Sequence, residues 1–131
     1  MLTTTIGDAL NNHYTLREAY GVYIVRDGST VLYVGKTERS SIVMRFQRHL
    51  GEGLDQRISL LGELILKHQP RSNRWSLEVL TLADCNAFLE QHDQMRRRKL
   101  KTAEAALIKF HRPCLNKQGN PDPEPLPEKY R

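Results

Sequence analysis

The chain has 131 residues, 39% of them hydrophobic, which suits one domain built on one modest core. Its formal net charge is +5, unevenly placed: residues 1–20 and 121–131 each carry −1, so residues 21–120 hold +7. A basic body of this size favours a polyanionic partner, nucleic acid before membrane, over the plainer reading of a basic domain with no such partner, and no apolar run reaches the roughly 18 residues that a membrane-spanning helix needs.

In chain order, residues 1–19 read as a lead-in. Met1-Leu2-Thr3-Thr4-Thr5 lacks the basic start and apolar stretch of a signal peptide. Thr5 is placed to cap a short helix reaching about His13, with Ile6, Ala9 and Leu10 as its apolar face. Residues 20–26 and 30–35 are rich in strand formers and flank Asp27-Gly28, which predicts a β-hairpin. A two-residue turn there pairs Val22 with Tyr33 and leaves Tyr23 and Tyr33 on opposite faces. A three-residue loop over residues 27–29, or a compensating bulge, pairs Tyr23 with Tyr33 and puts both rings on one face. A shared site needs the second arrangement, which is the one expected.

Ser40 or Ser41 then caps a helix through about Leu50, with Ile42, Phe46 and Leu50 inward and Arg45 and His49 one turn apart beside them. A second helix is predicted over residues 55–68, with Ile58, Leu61, Leu64 and Ile65 inward, closed by Pro70. Residues 74–82 alternate as a third strand, Trp75, Leu77 and Val79 sharing a face. Asp84 caps a helix reaching about Phe110 with a polar break near residues 92–99; its last part carries Leu100, Ala103, Leu107 and Ile108, and Pro113 ends it. From residue 119 onward four prolines in seven residues (121, 123, 125 and 127) describe an extended or disordered tail, 119–131.

The chemistry-bearing residues stand out against this frame. Glu104 lies among Leu100, Leu107 and Ile108 on one helical stripe. A carboxylate there is costly unless paired, for instance with Lys101 or Arg45, or bound to a metal. Arg45 is either a solvated flank or a fixed guanidinium for a phosphate, which it grips in bidentate fashion at any working pH. Lys36 follows the second strand as a phosphate contact or an exposed loop lysine, and Gly35 lets a substrate backbone approach closely. Arg96, Arg97, Arg98, Lys99 and Lys101 place five positive charges in six residues, a phosphate-tracking surface. Arg39 and Arg48 extend that surface. Cys85 and Cys114 have no metal or redox spacing and read as reduced packing thiols of a cytoplasmic protein. No dinucleotide, P-loop, zinc-protease or nucleophile-elbow motif is present, and no small-molecule cofactor is expected.

Five separated pieces occur in order: Gly21-Val22-Tyr23, Tyr33-Val34-Gly35, Arg45 with His49, Glu104, and Asn116 after Pro113. Over residues 20–118 the chain thereby resembles the GIY-YIG nuclease family, with valine for isoleucine in both tripeptides. The resemblance implies an α+β fold: a small three-stranded antiparallel sheet flanked by helices. It implies a metal-dependent endonuclease hydrolysing phosphodiester bonds in DNA, acting as monomer or homodimer. Glu104 would hold one divalent ion, Mg²⁺ or Mn²⁺, a count of carboxylates that suits Mg²⁺. Tyr23, Tyr33, Arg45 and His49 would be the other catalytic residues, with Gly21, Gly35 and Asn116 in support. Either Tyr23 is the general base, or His49 takes the proton and Tyr23 orients the water. The rival readings are a catalytically inactive nucleic-acid-binding module on the same scaffold and a protein-interaction domain using the acidic tail.

Overall fold

The computed structural model describes residues 1–11, 13–38, 40–51, 58–91 and 100–131. Its centre is a four-stranded antiparallel sheet in the order β1-β4-β2-β3, formed by β1 (Leu2–Thr5), β2 (Gly21–Asp27), β3 (Thr30–Thr37) and β4 (Ser76–Leu80). The expected sheet had three strands. The fourth is β1, which the lead-in supplies by pairing with β4, Leu2 opposite Val79 and Thr4 opposite Leu77. A Leu-Thr-Thr-Thr run carries too little apolar alternation to announce a strand, and its place at the sheet edge tolerates that polarity.

Helices cover both faces. On one lie α1 (Ile6–Leu10), α2 (Ile42–His49) and α3 (Leu60–Lys67), packed over Tyr23, Val25, Leu77 and Val79; on the other lie α4 (Leu82–Gln91) and α5 (Leu100–His111), packed over Val22, Ile24, Val34 and Leu80. Strand alternation divides β2 between the two cores. Among the described residues no helix is long and apolar enough to cross a membrane.

The helix starts follow local chemistry. Thr5 caps α1 by accepting from the Asp8 amide at 3.2 Å, Ser41 caps α2 from Met44 at 3.3 Å, and Ser59 caps α3 from Gly62 at 3.0 Å. α3 thus begins later than the apolar pattern implied. Ile58 stands outside it and 43% exposed rather than inward, and residues 55–57 lie outside the described ones. Asp84 is not the cap of α4 but its partner. Thr81 accepts from the Asp84 amide, and the Asp84 carboxylate accepts from the Thr81 amide at 2.9 Å, a reciprocal box.

The proline-rich end is extended but tied down. Tyr130 is buried against Trp75 and His68, its hydroxyl donates to Asp27, and Arg112 pairs with Asp122 and Glu124, both at 2.8 Å. Cys85 and Cys114 are free thiols, the first buried in the core over α4 and α5.

Candidate active site

The hairpin sets the site. Its turn is Gly28-Ser29, flanked by Asp27 opposite Thr30, and the register shifts by one residue between Val25 and Arg26. This classes as a bulge on β3 at Leu32. The consequence is that Tyr23 faces Gly35 and Tyr33 faces Val25. The two tyrosines are therefore not a cross-strand pair, as expected, but diagonal neighbours. They still share one face, with ring centroids 6.0 Å apart.

Gly35 has a different use from the one expected. A Cβ at that position would overlap the Tyr23 phenol, so the glycine makes room for the ring. Gly21, at φ +146°, begins β2 where a Cβ would collide with the Leu80 carbonyl of β4. Neither requirement is visible without the neighbouring strand.

Tyr23 is fully buried. Its hydroxyl lies 2.8 Å from His49 Nε2 on α2, and Arg45 Nε, one turn back on the same helix, donates to it at 3.4 Å. The other ring nitrogen, Nδ1, lies 2.6 Å from Ser59 Oγ at the start of α3. Tyr33 packs edge-on to the His49 ring at 5.4 Å. Burial raises the pKa of both phenols, more strongly for Tyr23, and both stay protonated at neutral pH. Burial, and then the Arg45 charge, push His49 down to about 4, so its imidazole is neutral.

Glu104 comes from the opposite layer, on α5. The two layers meet because β3 is the edge strand of the sheet. A cleft of about 830 Å³ wraps that edge, with Tyr33, Arg45 and Ser59 from one side and Lys36, Lys101 and Glu104 from the other. Among the described residues the Glu104 carboxylate has no hydrogen bond and no ion pair, neither with Lys101 nor with Arg45. Partial burial raises its pKa, opposed at longer range first by Lys36 and then by Arg45. A half-buried carboxylate without a partner among the described residues suits a hard divalent cation that keeps most of its waters. No group of three potential ligands exists among the described residues.

Asn116 fixes the far wall. Its Oδ1 accepts from the Val34 amide and its Nδ2 donates to the Val34 carbonyl, both at 2.9 Å, while Leu115 N bonds Leu32 O at 2.9 Å. The segment thus covers part of the β3 edge and holds Lys117 and Gln118 at the cleft.

The cleft therefore gathers Tyr33, Lys36, Arg45, Lys101, Glu104 and Asn116. Tyr23 and His49 stand behind it. Arg48 is exposed on α2 and does not line it. Arg39, Arg96, Arg97, Arg98 and Lys99 lie outside the described residues. Sequence reasoning missed Ser59, Lys117 and Gln118. A cap serine before Leu60-Leu61 was a readable signal for Ser59, but its contact with His49 was not, because the partner sits on another helix.

No curated protein and no solved structure matches the chain. The family model of the GIY-YIG catalytic domain matches residues 7–129 of the 131. With a match over nearly its whole length, and with a sheet edge that brings the tyrosine hairpin and the α5 carboxylate to one cleft, the chain belongs to the GIY-YIG catalytic-domain family, a family of endonuclease type.

Proposed function

We propose that this protein is a metal-dependent endonuclease that hydrolyses phosphodiester bonds in DNA. The observation that carries the reading is the cleft itself: a carboxylate without an ion pair among the described residues, a guanidinium and a phenol face a common space rimmed by lysines. Glu104 would hold the divalent ion, which when bound stabilises negative charge on the phosphate and the leaving oxygen. Arg45 binds the non-bridging oxygens as the phosphate becomes more negative, a role worth about 3 kcal/mol by comparison with other preorganised donors. Lys36, Lys101 and Lys117 supply the screened attraction that places the strand.

Tyr33 lines the cleft and orients the attacking water. Tyr23 is one hydrogen bond further in, behind Arg45. Its 3.4 Å contact with Arg45 is the long one of its two and yields when the guanidinium turns to a phosphate. As Tyr23 takes a proton from the water, its own proton passes to His49 Nε2. A neutral imidazole is ready to receive it, whereas a free phenolate at neutral pH is not available. On this reading Tyr23 reaches the water only once Arg45 has turned to the phosphate, and His49 acts through it.

The test is nicking of supercoiled plasmid by purified protein with Mg²⁺. Cutting that Glu104→Ala abolishes, with DNA binding kept, supports the reading. Salt-sensitive binding to duplex, branched and single-stranded DNA without any cutting would instead make the chain a silent nucleic-acid-binding module.

A further inference from the structure

Ser59 occupies an unusual position for a helix cap. Its hydroxyl has one proton and two lone pairs. The Gly62 amide donates to one lone pair at 3.0 Å, and the His49 carbonyl, which can only accept, lies 3.4 Å away. With that proton turned to the carbonyl, the second lone pair faces His49 Nδ1, 2.6 Å distant, which then donates to it. The close seating is built in. The Ser59 amide also bonds the His49 carbonyl at 3.1 Å, and a Cβ on Gly62 would overlap that same carbonyl. Ser41, the corresponding cap of α2, accepts from Met44 and has no bond to a titratable group among the described residues.

We propose that Ser59 is a positioning residue that fixes His49 in the Nδ1–H tautomer, so that bare Nε2 faces the Tyr23 hydroxyl and accepts its proton. The tautomer is inferred from the contacts at Ser59; its consequence for strand cleavage rests on the function proposed above. When the phenolic proton crosses the 2.8 Å gap, Nε2 gains it and Nδ1 keeps its own, still held by Ser59 Oγ. No further proton acceptor is needed. With the other tautomer Nε2–H would point at the phenol, and the transfer would have no place to go.

The test uses protein labelled with ¹⁵N in its histidines, alone and at neutral pH. The His49 imidazole shifts of the wild type should report Nδ1–H. Ser59→Gly keeps a residue that caps helices nearly as well but removes the hydroxyl. It should move His49 towards Nε2–H or a mixture, and lower kcat for plasmid cleavage by roughly ten- to a hundredfold with KM little changed, as loss of a tautomer-fixing partner does. Ser59→Thr should restore both readouts. An Nε2–H signal in the wild type, or a wild-type tautomer in a folded Ser59→Gly protein, would overturn the assignment. If the wild type proves unable to cut DNA, the function fails and the tautomer result still decides the role of Ser59.

Discussion

The Tyr23 ring fills the space where a side chain on Gly35 would lie, directly across the hairpin. The two tripeptides around these residues are therefore one packing unit, each shaped by the other. Gly35→Ala should force the phenol out of its place and break its contact with His49. Overpacking of this kind costs about 1–3 kcal/mol. Urea denaturation should show that loss, and cleavage should fall even under conditions where the variant is fully folded. Unchanged stability and activity would mean that the ring has another place to go.

Burial of neutral His49 makes stability depend on pH. Its folded pKa, about 4, lies below the ordinary value of 6.5. Between these values the unfolded chain takes up a proton that the folded chain does not. The stabilising contribution is complete above pH 6.5 and is lost as pH falls towards 4. Its full size is about 3 kcal/mol. His49→Gln should flatten the acid side of a plot of unfolding free energy against pH. A parallel curve for the variant would contradict the burial argument.

Glu104 trades stability for chemistry. Its folded pKa is raised, so the stability of the protonated form is present below the unfolded value and is lost as pH rises through the folded one. At neutral pH the ionised carboxylate is thus a cost, moderated by its partial exposure. Glu104→Gln should be as stable as the wild type or more stable, by up to about 1 kcal/mol, while cleavage with Mg²⁺ disappears. Thermal scans and nicking assays on the same preparation check both halves.

Cleft residues should differ from exposed ones in their salt dependence. Lys36→Ala and Lys101→Ala should each weaken DNA binding and reduce the slope of log K against log salt by about 1. Arg48→Ala, exposed away from the cleft, should leave the slope unchanged. Equal effects at all three positions would point to diffuse surface attraction.

Tyr130 anchors the C-terminal segment between Trp75 and His68. Tyr130→Ala should cost about 3 kcal/mol, read by chemical denaturation, and the folded fraction should still cut. A loss below 1 kcal/mol would show that the segment adds little to the body.

The sequence by itself determined the hairpin, the helix bearing Arg45 and His49, and the helix bearing Glu104. These rest on local signals: alternation, caps, proline stops and residue spacing. It also carried the family resemblance, since the five pieces occur in order. Only the tertiary structure decided the register across the hairpin, because a single bulge at Leu32 shifts every partner beyond it while leaving composition unchanged. The fourth strand, the Ser59 contact with His49 and the anchoring of Tyr130 were likewise beyond the sequence. Each joins residues distant in the chain, and the energy of such a contact depends on geometry that no local pattern encodes. The meeting of Glu104 with the tyrosine face is the clearest case: it follows from β3 being the last strand of the sheet, which lets two helical layers reach one cleft around an open edge.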